Sequence, residues 1–105
     1  MWAQLLKVRV REGKEGELPR LFAELEKTEQ PGSGLIRVTA MRDQNDPLQL
    51  YIVPVFESEG QARARERDPR REEGLKVVGS LMADIFDGPP EFVDLEVLAV
   101  SPPGA

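Results

Sequence analysis

The order in which hydrophobic periods follow one another along the chain leaves few architectures open. Over residues 4–11, Leu6, Val8 and Val10 alternate with Leu5, Lys7 and Arg9, the two-residue period of a strand with one covered face. In KEGELPRLFAELEK, Leu18, Leu21, Phe22 and Leu25 recur at i, i+3, i+4 and i+7, the stripe of an amphipathic helix. Pro19 fits only a first helical turn, so this helix is predicted to begin near Gly16 or Glu17 and to end at QPGSG. Residues 35–42 alternate again, DQNDP supplies a turn, and residues 48–57 return as a hairpin partner. Ser58 and Gln61 have the spacing of a capping box, and Asp68-Pro69 offers a second N-cap, so the next helical region is split in two. Leu75, Val78, Gly79 and Met82 carry its second piece towards Phe86, and residues 91–100 form a last alternating strand. The tail SPPGA reads as frayed.

Strand, helix, strand, strand, helix pair, strand is the α+β order of a ferredoxin-like split βαβ fold (β-α-β-β-α-β). Right-handed crossovers put both helical layers on one face of a four-stranded antiparallel sheet. With 105 residues the chain is one domain, 1–105, with a core over about residues 4–100. On the uncovered face the alternation places Lys7, Arg9, Arg37, Thr39, Tyr51, Val53, Asp94 and Glu96, mixed with Leu5, Met41, Val55 and Leu98. Such a face is too apolar to stay wet and too polar for a simple core, which implies a partner surface. Pro54, inside YIVPVFESEG, has no amide hydrogen, so it is expected at a bulge or an unpaired rim position of the third strand.

Composition removes whole classes of chemistry. Zero Cys and zero His exclude thiolate nucleophiles, zinc–thiolate sites, imidazole bases and histidine ligands to metal or haem. No cofactor-binding or metal-binding residues are expected. A net charge of −5 gives no footprint for nucleic acid. Arg63, Arg65, Arg67, Arg70 and Arg71 are interleaved with Glu66, Asp68, Glu72 and Glu73, a mixed-sign run that reads as a solvated helix face, with anion steering as the alternative. No apolar run reaches the ~20 residues of a membrane span, and no cleavable apolar segment opens the chain, so an unprocessed cytoplasmic protein with no membrane partner is expected.

The element order, the GKEGEL helix start, the PG before the second strand, the hairpin running into VFESEGQARARERDP and the GPPEFVDLEV ending together resemble the antibiotic-biosynthesis-monooxygenase-like (ABM) family over about residues 4–100. The resemblance implies a dimeric α/β barrel, a homodimer whose two sheets close face to face with a small-molecule cavity inside each subunit. It does not extend to the haem-degrading members: the first strand has no Asn, Phe56 stands where many members carry Trp, and Arg65 falls near the usual histidine position. Cofactor-free members oxidise polycyclic phenols through the substrate's own carbanion, with Asn, Tyr and Trp side chains positioning it. Here Tyr51 and Trp2 are available, whereas Asn45 lies in the DQNDP turn.

The candidate catalytic residues are Tyr51, Arg37 and Glu96, and the candidate substrate contacts are Trp2, Arg9, Thr39, Val53 and Asp94. Each has a plainer reading. Tyr51 could be a packed residue with one hydrogen-bond partner, and Arg37 could pair with Asp94 or Glu96 across subunits instead of holding a substrate oxyanion. Asp94 or Glu96 would be a base if desolvated and a structural carboxylate if paired, while Trp2 could simply cover the barrel end. Two functions remain open: a cofactor-independent monooxygenase acting on a small phenolic, quinol-like or enolisable molecule, and a non-catalytic small-molecule-binding or stress-associated dimeric barrel. A largely apolar cavity of roughly 300 Å³ or more with converging polar groups would favour ligand binding.

Overall fold

Turn, cap and proline signals mark where the elements change. The computed structural model describes residues 1–103, so the last two residues of SPPGA lie outside the described residues. The elements are β1 (Trp2–Arg9), α1 (Leu18–Lys27), β2 (Leu35–Arg42), β3 (Gln49–Phe56), α2 (Glu59–Glu66), α3 (Glu72–Ile85) and β4 (Glu91–Glu96). Short 3-10 turns, Glu15–Glu17 and Pro69–Arg71, lead into α1 and α3. Pro19 sits in the first turn of α1, where its missing N–H has no intrahelical acceptor to lose. At α2 the Ser58 N-cap forms but not the reciprocal bond of a capping box: the Gln61 N–H donates to Ser58 Oγ at 3.2 Å, and the Gln61 side chain meets the Ser58 hydroxyl, which donates to Oε1 at 2.9 Å. Replacing Ser58 with Ala is expected to cost about 1 kcal/mol, read as a lower urea midpoint at constant slope.

The sheet order is β2-β3-β1-β4, and each neighbouring pair is antiparallel. The fold is therefore the ferredoxin-like α+β arrangement, with an open sheet edged by β2 and β4. Val8, Leu50 and Ile52 from the sheet pack with Leu18 and Leu21 of α1 and Val78 and Ile85 of α3 in the main core. Leu21 and Ile85 are fully buried, each contributing about 1.5–3 kcal/mol of transfer free energy. A second, smaller cluster joins Trp2, Phe56 and Ala62, with Leu35 against it.

Three expectations need correction. The first concerns Pro54, which lies in the inner strand β3 and not at a rim. Its pairing with Val38 of β2 is kept, while the β1 side passes from Ala3–Val55 to Leu6–Ile52, so the ladder opens on one side opposite Gln4 and Leu5. The sheet's bulge is in β2 instead, between Leu35 and Arg37. The second concerns Asp94 and Glu96, which stand opposite Gln4 and Trp2 and so belong to the face that carries the helices. Phe92, Val93, Leu95 and Val97 leave apolar residues at both parities, so alternation alone does not decide which face β4 turns inward; the pairing with β1 does. The third is the end of β4. Trp2 pairs with Glu96, the Val97 N–H still donates to the Met1 carbonyl at 3.3 Å, and beyond it Leu98 is 89% exposed and is not part of the sheet face.

Candidate functional site

The uncovered face of the sheet is made of cross-strand rows. One row runs Met41, Tyr51, Lys7, Glu91; the next carries Thr39 and Val53 on one side and Leu5 and Val93 on the other; a third runs Arg37, Val55, Ala3, Leu95. Side chains directly opposite in an antiparallel pair have Cβ atoms about 4.5–5.5 Å apart, so the first and third rows are lines of touching or nearly touching groups, while the middle row is interrupted between Val53 and Leu5 where the ladder opens. The polar row is thus followed by an apolar row, and Arg37 closes the far side.

Of the eight residues picked from the sequence, Tyr51, Arg37, Thr39, Val53 and Arg9 are on this face. Trp2, Asp94 and Glu96 are on the other. Tyr51 and Arg37 are separated by two rows, since Arg37 is opposite Val55, four residues along β3 and about 13 Å away at the usual strand rise. Arg9 is taken up by Asp46 of the turn, Nη1 to Oδ2 at 2.7 Å. Arg63 reaches Asp94 Oδ2 at 2.9 Å, and the Gln4 amide donates to the other Asp94 oxygen at 2.9 Å, so Asp94 is a structural carboxylate.

The partner that Tyr51 does find is Asp43. Its hydroxyl donates to Asp43 Oδ2 at 3.4 Å, while Asp43 Oδ1 accepts from the Asn45 N–H at 2.8 Å. The DQNDP turn therefore does more than reverse the chain. It folds its first carboxylate back over the sheet beside the phenol. With Lys7 and Glu91 in the same row, the face presents a phenol, an ammonium and two carboxylates at one end of an apolar surface. Asp43, Lys7 and Glu91 are not among the residues picked from the sequence. Lys7 and Glu91 follow from the register, and Asp43 follows from continuing the β2–β3 register one step past Arg42.

Three carboxylates are held below the usual range: Asp46 by the hydrogen bond from Arg9, Asp68 by those from Arg70, and Asp94 by that from Gln4 with Arg63 adding to it. A carboxyl whose folded pKa is depressed contributes stability that is present above its unfolded value, about 3.9, and lost as the pH falls through its folded value. The chain has no His and no Cys, the side chains that ordinarily titrate between about pH 5 and 8.5. The urea midpoint is thus expected to be level from about pH 5.5 to 8.5 and to drop below about pH 4. A step near pH 6 or 7 would contradict this.

Two clefts lie away from the open face. One of about 260 Å³, lined by Met82, Phe86, Pro89 and Pro90, is at the end of α3; the other, about 320 Å³, is lined by Arg65, Arg67 and Arg70 where α2 meets α3. The arginine stretch is not the uniformly solvated face expected of it, because Arg71 is 5% exposed and Arg65 is bound to Glu29. Among the described residues, no helix is long and apolar enough to cross a membrane.

Comparison with known proteins adds a family and a set of folds. No curated protein matches the chain. A protein of unknown function from Nitrosomonas europaea superposes with a TM-score of 0.73 at 18% identity, covering 99% of this chain and 95% of its own. A cofactor-independent oxygenase from Streptomyces nogalater gives 0.72 at 14% identity, covering 96% of each chain. A conserved protein from Methanosarcina mazei gives 0.69 at 18% identity over 90% of this chain and 89% of its own. At such identities the likeness carries the fold alone. The family model for antibiotic biosynthesis monooxygenases matches residues 1–75, which span β1 through the start of α3 and include Lys7, Arg37, Asp43 and Tyr51, and the chain belongs to that family.

Proposed function

We propose that the chain is a cofactor-independent monooxygenase that works as a cytoplasmic homodimer on a small phenolic, quinol-like or enolisable molecule. The observation that carries this reading is the Tyr51–Asp43 contact at one end of an apolar sheet face, with Lys7 and Glu91 in the same row. Family membership supports the reaction class. A flat ring would lie on Val53, Leu5 and Val93 with its oxygen towards Lys7 and Tyr51. Asp43 or Glu91 takes the substrate proton, and Lys7 and the Tyr51 hydroxyl stabilise the oxyanion that forms. The resulting carbanion reduces dioxygen, the two combine as a hydroperoxide, and loss of water leaves a carbonyl. One oxygen atom enters the product and the other leaves as water, with all electrons supplied by the substrate. Glu96, on the opposite face, has no part in this scheme, and Arg37 is left to meet a distal acidic group.

The second reading, a non-catalytic ligand-binding barrel, is favoured by the fact that the Tyr51 hydroxyl already has Asp43 as a partner, as a packed tyrosine would. Oxygen uptake with a panel of quinols and anthrones separates the two. A substrate should emerge whose kcat/KM falls about tenfold in Tyr51→Phe, with a smaller loss in Arg37→Ala that appears mainly in KM. Tight binding of a panel member with no oxygen consumption would instead identify a binder.

A further inference from the structure

The three helices are held in different ways. α1 buries Leu18 and Leu21 and α3 buries Val78 and Ile85 in the main core, whereas α2 buries only Ala62. An eight-residue helix is too short to persist by itself, so something else must hold α2 down. That something includes a pair of arginines, one on each flank of Ala62. Arg63 Cζ lies 5.0 Å from the centre of the Trp2 ring, and its guanidinium reaches Asp94 of β4 at 2.9 Å, Glu66 at 3.2 Å and Glu59 at 3.4 Å. Arg65 Cζ lies 5.4 Å from the Phe56 ring, and its Nε donates to Glu29, just after α1, at 3.0 Å. The two rings themselves are 6.0 Å apart. Each arginine therefore covers one aromatic ring and is tied to a carboxylate on a different element.

Each end of α2 has a stop of its own, and the Arg65 carbonyl near its end accepts from Arg71 Nη1 at 3.2 Å. Ser58 caps its start, and at its other end Asp68, with Pro69 behind it, starts a new turn by accepting from the Arg70 N–H at 2.9 Å. Proline restricts the residue before it and stops the helical ladder from running through from α2 into α3. A short, separately capped helix held by cation–π and ion-pair contacts, over a small cluster of its own, can detach without disturbing the main core.

We infer that α2 is a lid over the Trp2–Phe56 pair, closed by the Arg63 and Arg65 clasps, and that it opens as a unit while the rest of the fold stays intact. Opening uncovers an aromatic surface on the helix side of the sheet, the side opposite Tyr51. The inference is independent of the reaction proposed above.

Trp2 is the single tryptophan of the chain, so its accessibility reports the lid directly. In the double variant Arg63→Gln/Arg65→Gln, acrylamide quenching of Trp2 should rise about threefold while one cooperative thermal transition remains. In the unmodified protein, the α2 amides should exchange with solvent at least about tenfold faster than the central amides of α1 and α3. Quenching at the unmodified level in the double variant would overturn the inference. So would loss of the whole cooperative transition, or α2 amides as slow as those of α3, because either result makes α2 an integral part of the core.

Discussion

Gly74→Ala should destabilise the protein by about 2 kcal/mol, although alanine is the better helix former by about 1 kcal/mol. Gly74 lies in the first turn of α3, and a Cβ there would sit 2.8 Å from Thr28 Cγ2. Thr28 has little room to yield. It is 2% exposed, its hydroxyl donates to the Leu25 carbonyl at 2.7 Å, and Arg71 Nη2 donates to that hydroxyl at 3.3 Å. Rotating Thr28 away from the new methyl would break both bonds inside a buried contact between α1 and α3. An unpaired buried polar group costs about 1–3 kcal/mol, so displacement is not the cheaper route. Thr28→Ser removes Cγ2 and keeps the hydroxyl, and it should therefore restore most of the loss when combined with Gly74→Ala. A thermal melt is sufficient as a readout, since about 2 kcal/mol corresponds to roughly 10 °C in a domain of this size. Additive losses in the double variant would show that the Cβ of residue 74 meets something other than Thr28.

Gly74 also illustrates what alternation and spacing can and cannot convey. The boundaries of β2, the N-cap at Ser58 and the restart at Asp68-Pro69 follow from local chemistry, and local chemistry is readable one residue type at a time. Side choice in β4 is different. With Phe92 and Asp94 at one parity and Val93 and Leu95 at the other, only the pairing with β1 decides, and that pairing is a property of two distant segments. The candidate site divides along the same line. Tyr51, Arg37, Thr39, Val53 and Arg9 follow their strands to the open face, while Asp94 and Glu96 follow β4 to the other. Asp43 looks like a turn former in DQNDP because aspartate in that position usually is one; its second role appears only when the hairpin register brings the turn back to Tyr51. Trp2 is a terminal aromatic in the sequence, and its companions Phe56 and Arg63 are more than fifty residues away. Pro54 sits between these cases. The missing N–H requires an interruption, and the interruption exists, but its location on the β1 side of an inner strand is set by the sheet order.

The largest effect is expected from Val53→Glu, which should raise the dissociation constant of the proposed homodimer at least about a hundredfold while leaving the subunit folded. Val53 sits in the apolar row of the open face, opposite Thr39. Leu95 and Met41, in the flanking rows, are 40% and 45% exposed in the isolated subunit, which is the surface that a second sheet would cover. In the subunit alone, a glutamate at this half-exposed position costs little more than strand propensity, under about 1 kcal/mol. In a face-to-face dimer it is removed from water with no cation in its own row, where an unpaired buried charge costs about 3–5 kcal/mol. Two-fold symmetry then repeats that cost, because an isologous interface places each substitution in the contact twice. Val77→Glu is the matched control: Val77 is 44% exposed on α3, so the same change there should leave association unaltered. Sedimentation velocity on the three proteins distinguishes the cases. Dissociation by Val53→Glu alone identifies the open sheet face as the interface, and it also predicts that oxygenase activity is lost although Tyr51, Asp43 and Lys7 are untouched, since only the closed dimer excludes water from their row. Dissociation by Val77→Glu instead would place the interface on the helices and leave the Tyr51 row in open solvent, where neither its carboxylates nor its ammonium would have the leverage on an oxyanion that the proposed reaction needs.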